Sequence, residues 1–440
     1  MANTPTPSVR RPLGIFLLVL ATGSTTLRAV EPVATAPATA DAAPEVAAAP
    51  FPGGDHFTGE WGGLRPKLEE KGIAFNLSLT SVYQHNAHGG ANTHNAHDVS
   101  GSYDMELSLD TGGMGLWPGG LLYVFAEGGW NDGVSDDVGD LFGLNFNVVG
   151  DYAIQVSELW YEQSFLGEKV RVRAGKMYVA GDFDNNAYAN DETAQFLNAG
   201  LVTTGNIPYP DYALGAQVIV HPCDWFQVGA VVADAQADGR ETGLNTTFHG
   251  SDDFFSMYEF GLEPKFKTAR GELPGAYRLG LWYDPQRKDR FFNDLGGRRR
   301  TVPVKTDDVG FYLSFDQLVF KEVPGAAEDS QGLGLFLRYG FAHGDVNAVE
   351  NFWSLGAQYQ GLIPTRDDDV LGFGVAQGIL SEQLRKTGAD PDRETVLELY
   401  YNALVFPWVT VTPDFQWILN PGGENGRDAF VAGMRVQMSF

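Results

Sequence analysis

Glu158, Trp160 and Glu162 in "SELWYEQSF" and Arg171 and Arg173 in "VRVRAGK" recur at every second position. In an extended strand that spacing puts side chains on one face. The first stretch therefore gathers two carboxylates and an indole, and the second gathers two guanidinium groups. Carboxylates and guanidinium groups can hydrogen-bond vicinal hydroxyls, and an indole face can pack on the apolar face of a sugar ring. The same charges could equally pair with one another. Just downstream, "AGDFDNNAYANDETAQFLNAGLVTTGNIPYPD" (180–211) adds Asp182, Asp184, Asn185 and Asn186 on a connection too long to be structureless in a compact domain. Its Phe183, Tyr188, Phe196 and Tyr209 predict that it packs, either inward or over a mouth.

Other chemistry is thinly supported. "HNAHGGANTHNAH" places His85, His88, His94 and His97 in one segment, but the surrounding Asn and Gly give a metal no defined geometry, and a solvated loop is the simpler reading. "NDGVSDDVGD" (131–140) has the carboxylate density of a calcium loop without the glycine and closing glutamate of an EF-hand. There is no Gly-x-Ser-x-Gly elbow, no His-Glu-x-x-His and no phosphate-cradling glycine loop ahead of a helix. No enzyme, cofactor or metal is expected. A formal charge of -26 excludes binding to the phosphate backbone of nucleic acid. The single cysteine, Cys223, excludes an internal disulfide.

The elements that must position these residues are strands. In "VLELYYNALVF", Leu397, Leu399, Tyr401, Ala403 and Val405 share one face, and Glu398, Tyr400 and Asn402 share the other. "GLFLRYGF" separates Leu335, Leu337, Tyr339 and Phe341 from Phe336 and Arg338 in the same way. About sixteen such segments follow residue 73, each near the length that crosses a bilayer at a tilt. Short links such as "LGEK" (166–169) and "PW" (407–408) alternate with long ones at 131–152, 180–211, 237–253 and 286–307. That asymmetry marks short periplasmic turns and long outer loops. No apolar run after the N-terminal segment is long enough for a membrane helix, so a membrane protein of this composition must close its sheet. The alternating "AFVAGMRVQMSF" at the C-terminus is the expected closing strand, with Phe440 at its end. The fold class is thus all-β, a transmembrane antiparallel barrel over 73–440. Arginines facing lipid near the midplane cost about 2–4 kcal/mol, so the charged faces should point inward. At this strand number an aqueous bore is expected.

Ahead of the barrel, Arg10 and Arg11 precede the short apolar run "PLGIFLLVLATG", the pattern of a secretory signal peptide over 1–29. An Ala/Pro-rich linker follows over 30–54, and "GLRPKLEEKG" predicts a short periplasmic helix within 55–72.

Several stretches resemble the carbohydrate-selective porins of the OprB type: "FTGEWGGLRPKLEEKGI" (57–73), "SELWYEQSF", "VRVRAGKMYV", "IPYPDYALGAQV" (207–218), "GLIPTRDDDVLGFGVAQG" (361–378) and "TPDFQWILNPGG" (412–423). The resemblance implies an outer-membrane channel for passive diffusion of monosaccharides and polyols, its pore narrowed by the 180–211 loop. Glu158, Trp160, Glu162, Arg171, Arg173, Asp182, Asp184 and Asn185 would lie along the path. The partners implied are sugar substrates, outer-membrane lipid and lipopolysaccharide, and the barrel-assembly machinery acting on the C-terminal strand; a monomer and a homotrimer both fit. A general porin and a soluble secreted carbohydrate-binding protein are the alternatives.

Overall fold

The computed structural model describes residues 54–249, 252–291, 303–324, 330–389, 391–424 and 426–440. The expected signal peptide and nearly all of the linker lie outside them. Sixteen strands form the wall of a closed antiparallel barrel, and one extra short strand joins the same sheet. They are β1 (Ile73–His88), β2 (His97–Asp110), β3 (Gly120–Trp130), β4 (Tyr152–Phe165), β5 (Val170–Met177), β6 (Ala213–Cys223), β7 (Phe226–Asp234) and β8 (Phe254–Leu262). The second half continues as β9 (Gly271–Asp284), β10 (Asp308–Lys321), β11 (Gly332–Ala342), β12 (Val349–Gln360), β13 (Val370–Leu380), β14 (Arg393–Phe406), β15 (Val409–Leu419) and β16 (Ala429–Ser439). The extra strand, Lys265–Thr268, pairs with the foot of β9. Each wall strand pairs with the next, as short hairpin connections require.

Closure is made by β1 and β16, in one register from Ser78 opposite Ser439 to Asn86 opposite Val431, with a bulge before His88 meets Phe430. Every backbone group of a spanning strand needs a partner in hydrocarbon, and a closed sheet supplies one on both sides. The seam is bolted by the segment before β1, at the end of the barrel where the chain enters that strand. A turn at Trp61–Gly63 leads into a helix, Leu64–Glu69. Arg65 on that helix donates to the carbonyl of Phe75 at 3.0 Å and to the terminal oxygen of Phe440 at 2.7 Å. Its guanidinium lies 4.3 Å from the Trp61 ring centroid. The Phe57 ring packs edge-on against Phe440 and Trp408.

The lipid-facing and inward faces follow the period of two. Along β14, Glu394, Val396, Glu398, Tyr400 and Asn402 are buried, and the residues between them are more accessible. The bore, however, is not simply aqueous. Two connections, 131–151 and 178–212, pack against the inward faces of β11–β16 and build a hydrophobic core there. Phe142, Leu144, Phe146, Phe196 and Leu201 meet Phe336, Phe352, Val396, Tyr400, Ile418 and Val431. The wall makes room with glycine. A Cβ on Gly374 would come within 2.7 Å of Leu201 Cδ2, and one on Gly334 within 2.2 Å of the Tyr188 ring. Inward carboxylates hold the loop backbones. Glu394 accepts the amide of Leu141 at 2.7 Å, and Glu398 accepts those of Leu197 and Asn198 at 2.5 and 2.9 Å.

Candidate functional site

The paired strands β4 and β5 carry the first group of candidate residues, with Glu162 opposite Arg173 and Trp160 opposite Gly175. On its other side β4 meets β3 through a bulge: Phe125 faces Glu158, and the next pair is Ala126 with Val156. Ser157 is the extra residue. It lets Ser157 and Glu158 both turn inward while Val156 and Leu159 stay on the lipid side, so Glu158, Trp160 and Glu162 keep one face.

Arg171, Arg173, Glu162 and Asp182 form a closed ring of alternating charge. Arg173 lies 2.9 Å from Glu162 and 2.7 Å from Asp182. Arg171 reaches the same two carboxylates at 3.4 and 3.1 Å. Gln217 on β6 donates to Asp182 at 2.6 Å. Burial alone would raise the Asp182 pKa, but Arg173 and then Arg171 outweigh it and hold the carboxyl below its ordinary value. Arg171 keeps 28% of its side chain accessible and Asp182 16%, whereas Arg173 and Glu162 keep 9% each. Arg171 and Asp182 are thus the open edge of the ring.

Trp160 does not offer a stacking face. Its ring is stacked on Tyr123 with centroids 4.8 Å apart, and the Arg173 guanidinium lies 3.8 Å from its centroid. Only 3% of the residue is exposed. Its Nε1 donates to Glu158 at 2.9 Å, and the same Glu158 oxygen accepts the Tyr178 amide at 3.1 Å. Ring-stacking on sugar by Trp160 is therefore corrected: both faces are already used, and the indole braces Arg173. Glu158 anchors the start of the 178–212 connection.

Asp184 is also a buried structural residue. Its carboxylate accepts from the Thr204 amide at 2.7 Å, the Thr204 hydroxyl at 2.9 Å and Arg338 at 3.3 Å. Asn185, one residue on, stays partly accessible. Its carbonyl accepts from Arg278 at 3.0 Å and from the Ser314 hydroxyl at 2.8 Å. Arg278 in turn pairs with Asp316 at 3.0 Å and approaches Glu259 to 3.9 Å. These three residues on β8, β9 and β10 extend the alternation of arginine and carboxylate. They were missed in the sequence, although Arg278 is a lone arginine between the outward Tyr277 and Leu279 of "AYRLGLWY".

The histidine and acidic segments do not build a centre. His85 and His97 are register partners with ring centroids 6.1 Å apart. In 131–140, Asp140 turns away to accept the Gly143 amide at 2.6 Å, and Asp137 accepts from Asn92 at the same distance. Among the described residues no three His, Cys, Asp or Glu side chains converge on a metal position.

Residues 94–440 match the family described as carbohydrate-selective porin, OprB family. The chain belongs to that family. Porin B of Pseudomonas aeruginosa is 26% identical over 427 residues, covering 88% of this chain and 92% of that protein. The high-pH structure of Pseudomonas putida OprB superposes with a TM-score of 0.76 at 23% identity, over 88% of this chain and 98% of that one. The low-pH structure of the same protein gives 0.56 at 21% identity. This OprB-family porin is thus an outer-membrane β-barrel channel through which sugars pass.

Proposed function

We propose that this porin admits monosaccharides of glucose-like size and related polyols by passive diffusion, and that selection takes place where the 178–212 connection narrows the bore. The observation that carries this reading is the charge ring of Glu162, Arg171, Arg173 and Asp182, whose accessible edge is Arg171 and Asp182. Both residues are held in place by ionic partners, so they can exchange hydrogen bonds with hydroxyl groups at little reorganisation cost. Balanced charge matters as much as position. A row of arginines alone would attract anions, and a row of carboxylates alone would attract cations; paired, they leave a polar track for neutral polyols. Asn185 continues that track along the wall, held from behind by Arg278, which pairs with the buried Asp316. Glu158, Trp160 and Asp184 act from behind it, by holding Tyr178, Arg173 and Thr204.

Reconstitution in planar bilayers tests the reading. Ion current through the open channel should be blocked by monosaccharides more strongly than by disaccharides, and Arg171→Gln should weaken that block. A channel that conducts ions and ignores every sugar would be a general porin, and the track would have no selective role.

A further inference from the structure

Arg338 sits on the inward face of β11 with no exposed surface. A guanidinium carries five N–H donors in a fixed fork, and here all five are used. Nε donates to Asp184 Oδ1 at 3.3 Å. Nη1 donates to the carbonyls of Ala189 and, at 3.1 Å, Leu201. Nη2 donates to the carbonyl of Asp184 at 3.0 Å and to Asn190 Oδ1 at 3.1 Å. Every acceptor belongs to the 178–212 connection. One side chain therefore ties together three points of the loop, at 184, 189–190 and 201. The clamp passes directly to the partly accessible Asn185, because Asn190 Nδ2 donates to Asn185 Oδ1 at 3.3 Å and Asn185 in turn accepts from Arg278 through its carbonyl.

We propose that Arg338 is the positioning residue for sugar selectivity in this porin: without touching the sugar, its saturated guanidinium sets the shape of the narrowing and the placement of Asn185. The inference rests on the selective role proposed above for the narrowing. Two roles can be separated. If Arg338 merely neutralises the buried Asp184, removing both charges restores the site. If it clamps carbonyls, it does not, because the bonds to residues 184, 189 and 201 are independent of the Asp184 charge. Lysine offers three donors from a single nitrogen and cannot span these acceptors.

The test compares Arg338→Met, Arg338→Lys and the double variant Arg338→Met/Asp184→Asn in planar bilayers. Heat-modifiable migration reports folding, and single-channel conductance and its block by glucose report the narrowing. The double variant should fold at least as well as Arg338→Met, since no unpaired carboxylate is left buried. It should still conduct about twofold more than the unaltered protein and lose about tenfold in glucose block, ~1.4 kcal/mol of binding. Arg338→Lys should fall between the two. Unaltered conductance and block in either the double variant or the lysine variant would overturn the proposal. So would failure of the double variant to fold, which would make Arg338 a determinant of the barrel rather than of the loop. If the unaltered channel shows no sugar block, the selective reading fails, and the conductance change alone reports whether Arg338 shapes the narrowing.

Discussion

The guanidinium of Arg173 lies 3.8 Å from the centroid of the Trp160 ring. The indole is thereby turned from a candidate sugar platform into a support for a charge. A desolvated cation–π contact is worth about 2 kcal/mol, and Glu162 and Asp182 fix the guanidinium from its edges. Arg173 is held on its face and on two sides, and it can present the ring it shares with Arg171 in one geometry.

Trp160→Ala should therefore change two properties together. Releasing Arg173 should weaken sugar block by about tenfold and shift ion selectivity in the same variant. A pure stacking platform would alter block alone. Trp160→Phe keeps an aromatic face beneath Arg173 and should stay within about twofold of the unaltered channel. Reversal potentials and block constants from the same bilayers decide between the two.

Arg173→Gln and Arg171→Gln should differ in kind. Removing Arg173 leaves Glu162 and Asp182 with Arg171 as their one shared cation, so the loss should stay below the roughly 3–5 kcal/mol of a buried charge left without any partner. The 178–212 connection should then fluctuate, seen as excess current noise together with increased cation selectivity. Arg171 is more accessible, so Arg171→Gln should raise cation selectivity with a quiet current. Equal noise in both variants would place the two arginines in equivalent surroundings, contrary to the geometry.

Acid should act through Asp182. Its folded-state pKa is depressed below the ordinary 3.8, so the stabilisation from its ion pairs is fully present above that value. It is lost as pH falls through the depressed value. The Asp182 contribution to selectivity should thus hold down to about pH 4 and move toward anions only below it, as the carboxyl protonates and leaves Arg171 and Arg173 in excess. Asp182→Asn should show the anion-selective state already at neutral pH. Reversal potentials across a pH series measure both.

At the seam, Phe440→Asp and Arg65→Ala should each lower the yield of folded barrel. Phe440 donates its amide to Leu77 at 2.8 Å, and its terminal oxygen accepts from Arg65. The aspartate also removes the ring that packs on Phe57. Heat-modifiable migration of outer-membrane fractions reads the result, and normal folded levels in Phe440→Asp cells would refute a role for the terminal residue in closure.

Thiol labelling in a Cys223→Ser background checks the faces directly. Arg171→Cys should react with a small membrane-impermeant reagent and reduce conductance, because Arg171 is on the open edge of the ring. Leu159→Cys, nearly half exposed on the outer wall, should face lipid and stay inert. Reaction at 159 with none at 171 would invert the face assignment of these two strands.

Strand positions and faces were legible because a bilayer enforces a two-residue period: an outward Arg338 would cost about 2–4 kcal/mol near the midplane and an outward Glu398 somewhat less, and inward and outward residues consequently differ in type. Closure by the last strand was legible for the same reason, since an open edge in hydrocarbon leaves backbone groups unpaired. Nothing in a local pattern tells where a long connection goes. The 131–151 and 178–212 segments enter the bore because Gly334 and Gly374 on distant strands leave space for Tyr188, Phe196 and Leu201, and because Arg338 meets five acceptors scattered over the second loop. The role of Trp160 was hidden likewise. Its own strand sets the direction in which it points, but only the packing of Tyr123 from β3 and Arg173 from β5 against its two faces decides what it can touch.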